Sequence, residues 1–198
     1  MSGLHLILAS ASPRRRELLA ALGVDFEVMV PEVEEVRGGD SAEAVVVENA
    51  RHKARAVASS AATDALILAV DTDVVLDGVL LGKPDDEAEA RERLEALSGR
   101  THEVLSGVVV LASRPAAERA AVERSRVTFA PLSAATIDRY LASGEWRDRA
   151  GAYAVQGLGS MLVERIDGDL SNVIGLPLRR LFALAPEIAE NLHPEVQR

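Results

Sequence analysis

The chain has 198 residues, of which 48% are apolar and 27% charged, and this composition predicts one globular domain over residues 1–198. A formal net charge of −9 and an aromatic content of 3% argue against a nucleic-acid partner, and the absence of cysteine excludes disulfides, thiolate nucleophiles and cysteine-ligated zinc. No apolar run approaches the ~20 residues of a membrane-spanning helix, and there is no signal-peptide pattern, so we expect a cytoplasmic protein with no membrane partner.

The first elements are a strand, a serine-rich turn and a helix that begins with three arginines. Leu6–Ala9 is predicted to be a buried strand, and Ser12 followed by Pro13 is typical of a helix start, where serine can cap the first amides. Arg14–Arg16 lie in the first turn, where the macrodipole disfavours cations by ~0.3–1 kcal/mol each. Because helix N-termini bind anions, this turn and Ser10 predict a phosphate site; the alternative is a solvated basic helix end.

A short strand, an acidic segment and a long helix follow. We expect Gly23 to end the first helix, and Phe26–Val30 alternates like a strand. The acidic segment 31–40 ends in a turn, after which Asp40 or Ser41 caps a helix. The apolar residues of this helix recur at helical spacing: Val46, Val47, Ala50, Ala54 and Val57.

The strongest buried-strand pattern is Leu66–Val70, which is followed directly by Asp71, Thr72 and Asp73. Open α/β sheets place their ligand sites at the carboxyl ends of strands. We therefore expect Asp71 at or near the end of this strand, where a carboxylate can take part in chemistry.

A hairpin is predicted after these residues, because Asp77-Gly78 is the pair that type I′ turns prefer. A two-residue loop would place Leu76 opposite Val79. Continued pairing would place Thr72 opposite Lys83 and bring Lys83 near the carboxylates. The pattern leaves open which face each side chain takes, because the strands can end or bulge earlier.

In the second half of the chain strands cluster, and with the alternating first half this indicates an α/β protein with a mixed sheet. Helices are expected from Asp85 or Asp86 to about Leu97, from Ser133 to about Ala142, and over 171–176 and 178–190. Strands are expected over 102–112, 120–129 and 161–166, turns at Arg114-Pro115 and Asp167-Gly168, and a glycine-bearing loop over 144–159.

The charged residues suggest a phosphoryl-transfer site. Mg²⁺ takes one or two carboxylates plus substrate phosphates, while arginine and lysine neutralise the remaining phosphate charge. Taken alone, Glu34-Glu35 is explained by an acidic surface patch, and Lys53 is explained by a solvated helix flank. Asp71 is different, because a charged residue with apolar segments on both sides in the sequence indicates a functional role. The acidic set is Glu34, Glu35, Asp71 and Asp73, and the basic set is Arg14, Arg15, Lys53 and Lys83. The sequence contains no dinucleotide fingerprint and no P-loop lysine.

A haloacid-dehalogenase-type phosphatase is an alternative for Asp71. An apolar strand followed by Asp-x-Asp-x-Val resembles the first motif of that family, whose first aspartate attacks phosphorus. In that family the motif lies near the start of the domain, and a lysine and an acidic pair follow at larger separations. Here Lys83 and Asp85-Asp86 follow within fifteen residues, so the spacing argues against a phosphatase.

The chain resembles the Maf family of nucleoside triphosphate pyrophosphatases in motifs that occur in order along nearly its whole length: LASASPRRRELL, PEVEE, ARHKARAV, DTDVV, LGKP, LSGRTHEV and the run from EWRDRAGAYAVQGLG to NVIGLPL. The resemblance implies an elongated, Maf-like (inosine triphosphatase-like) α/β fold with a central mixed β-sheet flanked by helices and a cleft between two lobes. It also implies Mg²⁺ or Mn²⁺ dependence, frequent homodimers, and hydrolysis of a nucleoside triphosphate to the monophosphate and pyrophosphate.

The resemblance also assigns roles to individual residues. Asp71 would be the general base or a metal-coordinating acid, and Glu34 its metal partner. Arg14, Lys53 and Lys83 would be the phosphate-binding cations, Ser10 would lie beside Arg14, and Thr72 and Gln156 would help select the base. Arg15 of the basic set is a further substrate-binding candidate. Ser106 stands where the family more often has threonine, and the hydroxyl is retained.

Gln156 resembles the branch of the family that acts on dTTP and UTP, because the branch that acts on 7-methylguanosine triphosphate has glutamate there. The resemblance therefore implies hydrolysis of dTTP and UTP. Alternatives are a 7-methyl-GTP or CTP pyrophosphatase of the same family and, because the family is linked to cell division, a regulatory nucleotide-binding protein of septum formation.

Overall fold

The computed structural model describes residues 4–36, 38–61, 64–113 and 117–192, which form seven strands and seven α-helices. The strands are β1 (Leu6–Leu8), β2 (Glu27–Val28), β3 (Leu66–Leu76), β4 (Val79–Leu80), β5 (Thr101–Ala112), β6 (Ala117–Phe129) and β7 (Val163–Asp167). The helices are α1 (Pro13–Ala21), α2 (Ala42–Ser60), α3 (Glu87–Leu97), α4 (Ala134–Ser143), α5 (Leu170–Ile174), α6 (Leu178–Leu184) and α7 (Pro186–Ala189). Two 3₁₀ helices, Ala150–Ala152 and Gly157–Leu162, precede β7.

The strands of the described residues belong to one mixed sheet. Their order is β2-β1-β3-β5-β6-β7, with β4 paired to β3. Strand β1 is parallel to β2 and β3, because α1 and α2 return the chain to the same end of the sheet between these strands. The β3–β4 and β6–β7 pairs are antiparallel. The prediction of an α/β fold with a central mixed sheet flanked by helices is confirmed.

The chain divides into two compact units. The first consists of residues 1–71, 106–123 and 175–198, and the second of residues 72–105 and 124–174. The expectation of one domain over residues 1–198 stays a prediction.

In the first unit, successive strand residues alternate between two buried clusters, as the pleat of a strand requires. Leu6 and Leu8 belong to a cluster with residues of α1, α6 and α7, whereas Ile7 belongs to a cluster with residues of α2. Helices therefore cover both faces of this part of the sheet. This explains why Leu66–Val70 of β3 is an unbroken apolar run, since both sides of it are buried.

Helix α2 lies very close to β5 at Gly107. A Cβ atom at this position would be 2.3 Å from the carbonyl oxygen of Val46, so a side chain does not fit between the helix and the strand. The close approach fixes the position of α2 on the sheet, and α2 carries Asn49 and Lys53.

In the second unit, one buried cluster joins the strands to α3, α4 and the loop that precedes β7. Its aromatic side chains are Phe129, Tyr140, Trp146 and Tyr153. The cluster anchors the glycine-bearing loop, because Trp146 and Tyr153 both come from it.

Strand β3 is longer than the sequence predicts. It runs for 11 residues to Leu76, so Asp71 lies within the strand and the prediction of a strand end at this point is wrong. The parallel pairing with β1 nevertheless stops at Leu68, and β4 pairs with β3 further along, at Val75 and Leu76. Asp71 therefore lies just beyond the end of the parallel pairing.

The predicted hairpin turn is confirmed. Asp77 and Gly78 both have positive φ, at 52° and 81°, as the central residues of a type I′ turn must. Leu76 pairs with Val79, as predicted from a two-residue loop.

The hairpin ends earlier than predicted. Strand β4 stops at Leu80, so the expected pairing of Thr72 with Lys83 does not form. The amide of Gly82 donates to Oδ1 of Asp73 at 2.9 Å rather than to a strand carbonyl, and this hydrogen bond turns the chain out of the ladder.

The remaining differences lie at element ends. The predicted C-terminal helix is divided into α6 and α7 at Pro186, which has no amide hydrogen to continue a helix. Met161 and Leu162 belong to a 3₁₀ helix rather than to the following strand. Ser12 precedes α1 as predicted, but its side chain makes no capping hydrogen bond. The predicted turn at Arg114-Pro115 lies outside the described residues.

None of the helices in the described ranges has the length and apolar character needed to cross a membrane.

His102 is a buried, uncharged member of the second unit's core. It is 2% exposed, its Nε2 is 2.8 Å from the hydroxyl of Tyr153, and its ring meets Phe129 and Tyr153 edge to face. Its Nδ1 has no hydrogen-bond partner among the described residues. Burial lowers the pKa of His102 from 6.5 to about 4, because the core does not solvate an imidazolium ion.

This burial predicts a loss of stability in acid. Between about pH 6.5 and 4 the unfolded chain protonates His102 and the folded chain does not, so the free energy of unfolding falls as the pH falls. We expect His102→Gln to remove a slope of about 1.4 kcal/mol per pH unit in this window. Urea unfolding of both proteins at pH 7, 6 and 5 measures the slopes. Equal slopes in the two proteins would contradict the assignment.

Candidate active site

A buried ion pair between Lys53 of α2 and Asp71 of β3 is the centre of the candidate site. Lys53 Nζ lies 2.5 Å from Asp71 Oδ1, and the two side chains are only 12% and 11% exposed. Removing two charges from water costs several kcal/mol per ion, so apolar residues of similar size would stabilise a fold at least as well. The retention of both charges in a buried position favours a functional role.

Glu35 shares the same ammonium group. Lys53 Nζ donates to Glu35 Oε1 at 2.6 Å, so two carboxylates meet at one cation. Glu34, which the resemblance makes the metal partner of Asp71, is exposed and has no side-chain hydrogen bond in the described part of the chain. The structure thus brings Glu35 rather than Glu34 to Asp71, and the role of Glu34 stays a prediction.

Asn49 holds the second oxygen of Asp71. Its Nδ2 donates to Asp71 Oδ2 at 3.1 Å and to the carbonyl of Val36 at 3.0 Å, and its Oδ1 accepts from the amide of Val36 at 2.7 Å. One buried amide therefore fixes both the carboxylate and the segment that carries Glu35. Asn49 is not among the site residues predicted from the sequence, where its only signal is a polar side chain on the apolar face of α2.

Arg15 is the arginine that the structure places among these groups. Its Nη1 donates to Ser10 Oγ at 3.1 Å and its Nε donates to the carbonyl of Gly175 at 2.8 Å. Desolvation lowers the pKa of Arg15, and the charges of Asp71 and Glu35 oppose this shift. An arginine stays protonated under these conditions, so the first unit contains a second fixed cation close to the two carboxylates.

Ser10 organises the start of α1. It is 5% exposed, and its Oγ accepts a hydrogen bond from the amide of Ser12 at 3.2 Å in addition to the one from Arg15. Ser10 therefore satisfies an amide at the helix start, a role that the sequence pattern predicts for Ser12. Arg14 is half-buried in the same turn.

The other predicted substrate residues belong to the second unit. Thr72 is half-buried on β3, Lys83 is exposed just after β4, and Gln156 is exposed immediately before the second 3₁₀ helix. Asp73, a member of the predicted acidic set, stabilises the local backbone, because its Oδ1 accepts from the amides of Val74 and Gly82 at 2.7 and 2.9 Å.

The carboxylate oxygens around Lys53 are of the type that binds a divalent cation. Mg²⁺ and Mn²⁺ prefer oxygen ligands, and Mg²⁺ needs only one or two carboxylates when substrate phosphates complete its shell. Asp71 and Glu35 already direct one oxygen each toward a single positive charge. The described residues contain no cluster of three or more histidine, cysteine, aspartate or glutamate side chains that could hold a metal by themselves. Asp71 and Glu35 are therefore the residues that could hold such a cation together with substrate phosphates.

Comparison with known proteins gives extensive matches. A family model described as Maf-like protein matches residues 5–188. The chain is 52% identical over 176 residues to a dTTP/UTP pyrophosphatase of Methylococcus capsulatus, a match that covers 88% of the chain and 86% of that protein. It is 46% identical to a dTTP/UTP pyrophosphatase of Dictyoglomus thermophilum, a match that covers 95% of the chain and 98% of that protein. It is 48% identical to a dTTP/UTP pyrophosphatase of Deinococcus radiodurans, a match that covers 91% of the chain and 91% of that protein.

The hydrogen bonds of Asn49 predict its contribution to stability. We expect Asn49→Ala to lower the free energy of unfolding by about 1–3 kcal/mol, because Val36 and Asp71 lose buried partners. Urea unfolding measures the loss. Asn191→Ala is the matched control: it removes one amide hydrogen bond, to the carbonyl of Glu187, and should cost about 1 kcal/mol or less. Similar losses in the two variants would show that the Asn49 bonds do not hold the site together.

Proposed function

The chain belongs to the Maf family, and from that membership we propose that it hydrolyses dTTP and UTP to the nucleoside monophosphate and pyrophosphate. Relatives named for this activity are about half identical to the chain over most of both sequences. The observation that carries the chemistry is the buried Asp71 carboxylate, held by Lys53 and Asn49 in the first unit.

Asp71 is suited to act as the general base. In the reaction, water adds to one of the two phosphorus atoms of the α–β anhydride, the bridging P–O bond breaks, and a proton of the water must be removed. Each carboxylate oxygen can accept two hydrogen bonds, and Lys53 and Asn49 supply one to each. A lone pair on either oxygen remains for a water molecule, and both oxygens are fixed in position.

Lys53 and Arg15 are suited to bind phosphate oxygens. An ammonium group has three donors, and Asp71 and Glu35 use two of those of Lys53, so the third is available to a phosphate oxygen. Arg15 offers a planar guanidinium that Ser10 and Gly175 orient. Arg14 and Lys83 are the other two cations proposed to bind phosphate oxygens. Ser10 is proposed to contact the phosphates through its hydroxyl group.

We propose Mg²⁺ or Mn²⁺ as the cofactor, held by Asp71 and one acidic residue of the 34–35 segment. The resemblance favours Glu34 for this ligand, and the hydrogen bonds of the structure favour Glu35. When bound, a divalent cation neutralises charge on the triphosphate oxygens and so favours attack at phosphorus. The homodimer and the cytoplasmic location stay predictions.

Gln156 and Thr72 are proposed to select the base. A glutamine amide has one donor and one acceptor, which match the O4 acceptor and the N3–H donor of uracil and thymine. Cytosine presents the reverse polarity at the same edge. The side chain of Gln156 is exposed and therefore accessible to a ligand.

The first test of this function is a nucleotide panel with Mg²⁺, with product identification by chromatography. We expect dTTP and UTP to give monophosphate and pyrophosphate only when the metal is present. Asp71→Asn keeps the shape of the side chain but removes its charge, so it should lower kcat by about 10²–10⁴-fold, the range for a lost general base.

Each contrary outcome of the panel identifies a different alternative. Orthophosphate as the sole phosphorus product would indicate the phosphatase chemistry of the dehalogenase type. Preferred hydrolysis of 7-methyl-GTP or CTP would assign another branch of the family, and nucleotide binding without turnover would favour the regulatory role. Wild-type turnover by Asp71→Asn would exclude Asp71 from the chemistry.

The second test concerns Gln156. In Gln156→Glu the donor that faces O4 is replaced by a second acceptor, so we expect kcat/KM for UTP and dTTP to fall about 10- to 100-fold, the effect of one mismatched polar contact. The melting temperature should not change, because the side chain is exposed. An unchanged preference for UTP and dTTP in the variant would show that Gln156 does not contact the base.

A further inference from the structure

We propose that Glu145 is a positioning residue that sets the nucleobase preference by fixing the loop that carries Gln156. The proposal rests on the function proposed above, in which Gln156 contacts the base. We call residues 154–159 the Gln156 loop. All the residues that hold this loop belong to the second unit.

Glu145 binds the downstream side of the Gln156 loop. Its Oε1 accepts a hydrogen bond from the amide of Leu158 at 3.0 Å, and its Oε2 accepts one from the amide of Gly159 at 3.1 Å. These amides lie two and three residues after Gln156. A single carboxylate thus holds two successive peptide groups, an arrangement that fixes their orientation as well as their position.

Glu145 is itself well placed to act as an anchor. It lies two residues after the end of α4, and its amide donates to Ser143 Oγ at 3.2 Å. Its carbonyl accepts from Arg149 Nε at 3.3 Å, and the next residue, Trp146, is buried in the core of the second unit. Glu145 is therefore held close to the end of α4 by its backbone hydrogen bonds and by the buried side chain of the next residue.

A separate contact holds the upstream side of the loop. The amide of Ala154, two residues before Gln156, donates to the hydroxyl of Tyr140 at 3.0 Å. Tyr140 is fully buried on α4, and the neighbouring Tyr153 is held by His102. Tyr140 of α4 and Glu145, two residues after the end of this helix, thus bind the loop on both sides of Gln156.

The two ends of the Gln156 loop lie against each other. A Cβ atom at Gly159 would be 1.8 Å from the carbonyl oxygen of Ala154, so only glycine allows this approach. The loop is closed at its base, and Gln156 lies between the two contacts with its side chain exposed. The backbone of the loop is therefore fixed, while the amide that would contact the base stays accessible to a ligand.

Base selection by Gln156 requires that the backbone of its loop be fixed. A glutamine amide can rotate to match either uracil or cytosine, so it discriminates between them only if its surroundings hold one orientation. A carboxylate suits the anchor because it only accepts, whereas a glutamine at 145 would turn an NH₂ group toward one of the two amides. Loss of one bond would loosen the loop without changing any group proposed to bind phosphate.

The decisive measurement is the ratio of kcat/KM for UTP to that for CTP. We expect Glu145→Gln to lower this ratio about tenfold, within the range of one lost charge-assisted hydrogen bond. The change should come mainly from KM for UTP, with kcat close to wild type, because the catalytic groups lie elsewhere in the chain. Glu164→Gln makes the same chemical change at an exposed carboxylate of β7 and should leave the ratio unchanged.

A second variant keeps the proposal testable if Glu145→Gln folds poorly. Tyr140→Phe removes only the acceptor for the Ala154 amide and should lower the same ratio. A wild-type ratio in folded Glu145→Gln would overturn the positioning role, as would a wild-type ratio in Tyr140→Phe where Glu145→Gln does not fold. If the wild-type protein released no pyrophosphate from UTP, the proposed function itself would be overturned. This result is distinguishable from failure of the positioning role, because it is seen in the wild-type protein before any substitution is made.

Discussion

The ammonium group of Lys53, held between two carboxylates, is the interaction on which the first unit's chemistry depends. It exists only because several local features agree: the apolar stripe of α2, the close approach of that helix at Gly107, and the Asn49 amide that ties the acidic segment to Asp71. Without them, Lys53 and Asp71 would regain water, since desolvation opposes burial of each charge. The scaffold therefore keeps Lys53 and Asp71 largely out of solvent, in contact with the more exposed Glu35.

The cluster is balanced in charge, which lowers the cost of burying Lys53 and Asp71 within it. Asp71 and Glu35 carry two negative charges, and Lys53 and Arg15 carry two positive ones. Under the proposed function a triphosphate adds negative charge and a divalent cation adds positive charge, so binding of the two together preserves the balance better than binding of the triphosphate alone. Arginine suits the second cation because its guanidinium stays charged despite the desolvation that lowers its pKa.

Local sequence signals predicted most of the fold and only part of the site. Apolar runs and capping residues such as Ser41, together with the Asp77-Gly78 turn, indicated the element order, because each acts over a few residues. The end of β3 depends on a partner strand, so it was not visible in the sequence. The same is true of Asn49, whose partners are distant along the chain. The choice between Glu34 and Glu35 depends on how one irregular segment is tied down, which residue type alone does not reveal.

The proposed roles divide between the two units in a way that follows from the chemistry of the substrate. Every nucleoside triphosphate presents the same phosphates, which need charge, and the cations and carboxylates that suit them lie in the first unit except for Lys83. The base differs between substrates only in the polarity of its edge, so it must be distinguished by the orientation of hydrogen-bonding groups. A loop whose backbone is held by packed side chains can fix such an orientation. The Gln156 loop of the second unit is a loop of this kind. A change of base preference can therefore arise in the anchors of that loop while the phosphate chemistry of the first unit stays the same.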